Sequence, residues 1–212
     1  MSYTIVSGQF ETGTKEQQLG YMQLFGEENI QHKFDLYFHW YNIIHETGHC
    51  LKSETDIKMS GVQEEMFVNE FAISYYRFVG EDEKLVELQN LLQSVIDGLP
   101  TVVPAGETFT GFYERIWNTE QINNVMIYGY FQLNSVLEAM KKQRTFEEVL
   151  SDLGIHIIRD KQILRCTEEI SSENTESILF TALENMKAMG IDVPSIHLEL
   201  VDNPMIQQAR YN

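Results

Sequence analysis

The sequence predicts an α+β domain that is mostly helical, with a small N-terminal sheet and a helical C-terminal half. Three observations lead to this. The first thirty residues mix Gly8, Gly13, Gly20 and Gly26 with short alternating apolar runs such as Tyr3-Thr4-Ile5-Val6, a pattern of strands and turns. From about Val62 onward, apolar residues recur at helical spacing over long spans that stop at glycines. A chain of 212 residues also fits one domain with a sizeable core. We therefore expect a single domain over 1–212, with the sheet and the first helices in 1–97 and a loop followed by helices in 98–212.

After the N-terminal strands, Lys33 to Phe38 forms a second alternating, aromatic-rich stretch that runs into a helix at Trp40 to His45. Val62 to Val79 reads as a helix stopped by Gly80, and Glu81 to Asp97 as one stopped by Gly98, with Pro100 beyond. Residues 100–118 carry Pro104, Gly106 and Gly111 among aromatics, which predicts a partly extended loop bordering a cleft. Helical periodicity returns from Thr119 to Lys142, and Thr145 with Glu148 forms a capping box for a short helix to Leu153. Ile155 to Thr167 fits either helix or strand. Asn174 to Met189 is helical, and the tail alternates Ile196, Leu198 and Leu200.

Composition excludes some functions. With 32 acidic against 15 basic side chains and no basic cluster, the surface repels phosphate backbones and anionic membranes, so no nucleic-acid or membrane partner is expected. No secretory signal is visible, and no segment offers about 18 uninterrupted apolar residues, which leads us to expect a cytoplasmic protein. Two cysteines, Cys50 and Cys166, are too few for a disulfide framework and read as free, buried thiols.

The chemistry concentrates in His45-Glu46-Thr47-Gly48-His49. Residues four apart stack on one helix face, so His45 and His49 direct two imidazoles at one point, as tetrahedral zinc requires. Glu46, about 100° round the helix, is placed to take a proton from water at that metal. Gly48 omits a side chain where another element or a substrate approaches, at a helix cost of about 1 kcal/mol. A catalytic zinc needs a third protein ligand and keeps one position open. Downstream, helical spacing puts Glu65, Asn69 and Ala72 on one face, with Glu64 and Glu70 pointing elsewhere. In this reading Glu65 ligates, Asn69 bonds a liganding histidine, and Ala72 lets the helices pack closely.

Over roughly residues 40–76 the chain resembles the gluzincin metallopeptidases, in the branch whose H-E-x-G-H helix precedes a helix reading E-x-x-x-[Asp/Asn]-x-x-Ala. Phage-repressor-cleaving regulators and prenyl-protein proteases share this pattern, and the lack of membrane spans speaks against the latter. The resemblance implies a zincin-like domain with His45, His49 and Glu65 as zinc ligands, Glu46 as general base, and Asn69 supporting a ligand. It departs from the pattern in the short segment between His49 and Glu65 and in Val68, where alanine is frequent. Asn69-Glu70 also resembles the Asn-Glu pair of thermolysin-like gluzincins, which makes Glu70 an alternative metal ligand.

The expected activity is hydrolysis of peptide bonds in a protein or peptide substrate, with Zn2+ as cofactor. A tetrahedral intermediate needs a neutral donor for its oxyanion, and Tyr128 and Tyr130 are candidates alongside Tyr113 and Tyr76. One alternative is a regulatory zinc-binding protein that uses the same scaffold to hold a partner, although the intact Glu46 speaks against it. A closed structural site would instead need a fourth ligand such as Cys50 or Glu70. His32, His39, His156 and His197 read as ordinary polar or half-buried residues.

Overall fold

The alternating residues at the N-terminus form β1 (Ser2–Gly8), whose Tyr3 and Ile5 are buried against Ile43, Cys50 and Leu179. Our computed structural model describes residues 1–158, 162–202 and 208–211, the last four as backbone only. β1 pairs in parallel with β2 (Ser195–Val201) from Ser2↔Ser195 to Gly8↔Val201, and antiparallel with β3 (Gln208–Tyr211). The order β2-β1-β3 makes β1 the central strand of a sheet drawn from both chain ends. The architecture is thus α+β and mostly helical. The sheet is not confined to the N-terminus, however, and the C-terminal half ends in strands. The alternation of Ile196, Leu198 and Leu200 marks β2, but local sequence carries no information about its partner 193 residues upstream.

Two early expectations are overturned. Lys15–Phe25 is a helix (α1), because Thr14 accepts from the Gln17 amide while the Gln17 side chain accepts from the Thr14 amide. Gly20 sits inside it with open space around it. The second is Lys33–Phe38, which lies in a continuous helical rod from Ile30 to Ser53: α2 (Ile30–Asp35), a π-helical turn (Leu36–Tyr41) and α3 (Asn42–Ser53). Phe34, Leu36, Tyr37, Trp40 and Tyr41 are all buried. A rod covered on several sides shows no single apolar stripe, and the wider π turn breaks the 3.6-residue period.

His39 is fully buried, not half-exposed. Its Nδ1 lies 2.6 Å from Asp35 Oδ1 and its Nε2 2.9 Å from the Gly8 carbonyl, while the Gln31 amide donates to both Asp35 oxygens. A carbonyl only accepts, so Nε2 carries a hydrogen. This chain of bonds ties the π turn to the end of β1.

Of the remaining helices, α4 (Gly61–Phe78) and α9 (Thr175–Ala188) pack on α3, and α5 (Asp82–Gly98), α7 (Val125–Lys141) and α8 (Phe146–Ser151) pack on α4. The expected loop at 100–118 contains α6 (Phe109–Ile116), capped by Thr108. Its Phe112, Tyr113 and Ile116 pack with Val62 and Phe131, so it supports α4 and α7 and does not border the main cleft. A Cβ on Gly61, the first residue of α4, would meet the Trp117 indole at 1.8 Å. The described residues of 155–167 form no regular element. Among the described residues, no helix is long and apolar enough to cross a membrane. Cys50 is a buried free thiol, whereas Cys166 is only half-buried.

Removing Asp35 leaves His39 buried without its carboxylate. Asp35→Ala is expected to lower unfolding stability by about 3 kcal/mol or more in urea titrations. A loss below about 1 kcal/mol would show that the pair anchors nothing.

Candidate metal centre

Along the rod, Tyr37, Tyr41, His45 and His49 follow one another at four-residue intervals, with Phe38, Asn42 and Glu46 in the adjacent column. The His45 and His49 ring centroids lie 5.0 Å apart. α4 crosses this face closely because Gly48 carries no side chain: a Cβ there would stand 2.9 Å from Phe71 and 3.2 Å from Val68. The element approaching Gly48 is thus α4, and the bulk of Val68 fits the space left at the glycine.

This approach brings Glu65 to the histidines. Its Oε2 lies 3.5 Å from His45 Nε2 and its Oε1 3.6 Å from His49 Nε2, and one ligand atom from each of the three residues falls within 4.8 Å of the others. Metal–ligand bonds of 2.0–2.1 Å in a tetrahedron give edges of about 3.3 Å, so the two histidine–carboxylate distances lie close to those of a ligand set.

The far sides of both imidazoles are already held. Asn69 Oδ1 accepts from His45 Nδ1 at 2.9 Å and from the Tyr41 hydroxyl, while its amide donates to Ser135 Oγ at 2.9 Å. His49 Nδ1 donates to Glu64 Oε1 at 3.0 Å, and Lys52 Nζ lies 2.6 Å from the other Glu64 oxygen. Both Nε2 atoms therefore face Glu65, the tautomeric arrangement a metal selects. Glu64 does not point away as the helical spacing suggested. Neighbouring residues of α4 thus reach the two nitrogens of the His49 ring from opposite sides.

Electrostatics fit a cation. Burial and the neighbouring His49 push the His45 pKa down to about 3, so His45 is neutral and able to ligate. Burial disfavours charge on His49, but the Glu64 bond and the Glu65 and Glu46 carboxylates outweigh it and raise its pKa above the ordinary value. The His49 bond, aided by Lys52, holds Glu64 down at about 2. Burial raises Glu65, with Glu46 adding to the effect. Glu64 is thus compensated by Lys52 and His49, whereas Glu46 and Glu65 crowd negative charge around the donors, where a divalent ion would relieve it.

His45, Glu46, His49, Glu64 and Glu65 line a cavity of about 660 Å³, whose opposite wall includes Tyr128, Gly129, Tyr130 and Gln132 of α7. Glu46 is 8% exposed and accepts from the Asn42 amide at 3.3 Å. Tyr128 and Tyr130 both border this space. Tyr113 and Tyr76 do not, since their hydroxyls donate to the carbonyls of Ile127 and Trp40. Glu70 lies outside the donor cluster and is ion-paired with Lys142 and Arg144. Cys50 is buried among Tyr3, Ile5 and Ile43. Sequence reasoning missed Glu64, Tyr41, Ser135 and Gln132. Only Glu64 carried a local signal, as the residue next to Glu65.

No family model, curated protein or solved structure matches the chain. Support for a metal centre therefore comes from the donor geometry and its supporting bonds.

A metal taken up by these donors would have to displace the proton on His49, whose pKa is raised above its ordinary value. Zinc affinity is expected to be greatest above that pKa and to fall as pH drops through it. Glu64→Gln, which weakens the hold on His49, is expected to reduce affinity by about tenfold in chelator competition at neutral pH. Affinity that is flat between pH 5.5 and 8 would contradict this assignment.

Proposed function

We propose that the protein is a zinc-dependent peptidase of gluzincin type, with His45, His49 and Glu65 as ligands and Glu46 as general base. The observation that carries the reading is the convergence of those three donors on a cavity whose wall also holds Glu46. Among the described residues the donor group contains three members, as an open catalytic site requires, with Cys50 and Glu70 engaged elsewhere. This arrangement favours catalysis over a closed structural site.

Zinc bound there would supply a Lewis acid and bring the pKa of water near neutrality. Glu46, one residue past His45 and beside the cavity, takes the proton from the attacking water and later passes it to the leaving amine. Buried His45 stays neutral, and His49 gives up its proton to the metal. Tyr128 offers a hydroxyl to the carbonyl oxygen as charge develops on it.

The cavity also indicates the type of peptide. Tyr21, Leu24, Phe25, Phe38, Leu99 and Met126 line it, and no lysine or arginine does among the described residues. Such a surface favours bulky apolar side chains and, with Glu46 on its wall and no lysine or arginine facing it among the described residues, disfavours acidic ones. The reading is therefore a peptidase acting on neutral or basic segments carrying a large apolar residue.

Elemental analysis and cleavage of a mixed peptide pool test this together. Wild type should hold about one zinc per chain and cut beside residues such as Leu or Phe at least about tenfold faster than beside Asp or Glu. Glu46→Gln should keep the zinc while losing about 10²–10⁴-fold in kcat, and Glu65→Ala should lose the metal itself. Zinc bound without cleavage of any peptide would favour the regulatory alternative, a metal scaffold that holds a partner.

A further inference from the structure

Along α7, Tyr128, Gln132 and Ser135 occupy one face at i, i+4 and i+7, opposite Glu65 and Asn69 of α4. Ser135 bonds Asn69, which holds His45. One turn earlier, Gln132 Nε2 lies 2.8 Å from the Tyr128 hydroxyl and 3.3 Å from Glu65 Oε2.

The chemistry of these three groups fixes their orientations. A carboxylate only accepts, so Glu65 requires the Gln132 side chain to present its NH₂ and not its carbonyl oxygen. That nitrogen only donates. Toward Gln132 the Tyr128 oxygen must therefore act as acceptor, which leaves the phenol proton for a different partner. Tyr128 borders the cavity and is 41% exposed, so the proton has the cleft available to it.

We propose that Gln132 is a positioning residue that serves both sides of the centre: one amide hydrogen steadies the Glu65 carboxylate, and the other fixes Tyr128 as a donor directed at the oxyanion of the substrate. This rests on the peptidase reading above. Burial, reinforced by Glu65, raises the Tyr128 pKa to about 12, so the phenol keeps its proton across the working range. Gln132 thereby links ligand orientation to oxyanion stabilisation through one side chain.

The test compares wild type, Gln132→Met, Tyr128→Phe and the double variant, using zinc alone in chelator competition and kcat with KM on a peptide from the cleaved pool. Methionine matches glutamine closely in length and helix preference, so α7 is retained. Gln132→Met should weaken zinc binding by about tenfold and lower kcat at saturating zinc by about tenfold, with KM little changed. Tyr128→Phe should lower kcat by about a hundredfold and leave zinc affinity intact. The double variant should turn over no more slowly than Tyr128→Phe alone, since Gln132 acts on kcat through that hydroxyl. Unchanged zinc affinity in Gln132→Met, or a full repeat of its kcat loss in the Tyr128→Phe background, would overturn the proposal. Weakened zinc binding in Gln132→Met beside a wild type that cuts nothing would uphold the tie to Glu65 and overturn the peptidase reading instead.

Discussion

The separation of α3 and α4 governs the rest of the centre, and it is set where Gly48 faces Phe71 and Val68. A methyl group at that position would meet Phe71 at 2.9 Å, and either the ring or the helix would have to yield. Glu65 reaches His45 and His49 at 3.5 and 3.6 Å only because α4 lies this close. Metal sites tolerate only about ±0.2 Å in ligand distance, so a shift of a few tenths at Gly48 propagates directly into the donor set. Against that, the roughly 1 kcal/mol helix cost of a glycine is small.

Around this contact the protein has arranged polar groups that work in pairs. Asn69 and Glu64 hold the outer nitrogens of the two histidines, and Tyr41, Ser135 and Lys52 hold those holders. No buried side-chain nitrogen or oxygen lacks a partner among the described residues. Buried polar networks are costly when incomplete, so this degree of satisfaction restricts each ring to one orientation. Pre-set imidazoles would lose little on binding a metal, and the surplus of carboxylates would supply the attraction. The His39–Asp35 pair does the same further along the rod, fixing the π turn from which Tyr37, Phe38 and Tyr41 project.

How much of this was legible in the sequence depended on the range of the interaction. His45, Glu46 and His49 were readable because five consecutive residues on one helix determine their own relative geometry. Glu65 and Asn69 followed from the same 3.6-residue period on α4, and the helices ending at Gly80, Gly98 and Gly190 were marked by their glycines. The side of His49 reached by Glu64 depends on how two helices cross, which no single-helix period encodes. Ser135 and Gln132 lie more than sixty residues from their partners on α4. The π turn hid its own identity, since its aromatics are buried on several sides and mimic strand alternation. The pairing of β1 with β2 was illegible for the same reason of distance, although each strand's alternation was plain.

The most direct test of the central claim, an open metal centre of two histidines and one glutamate, is zinc-edge X-ray absorption on the zinc-loaded protein. The account predicts a four-coordinate ion with two imidazole nitrogens, one carboxylate oxygen and one water, and no sulfur. A sulfur scatterer, a third imidazole, or a shell closed by four protein ligands would contradict it.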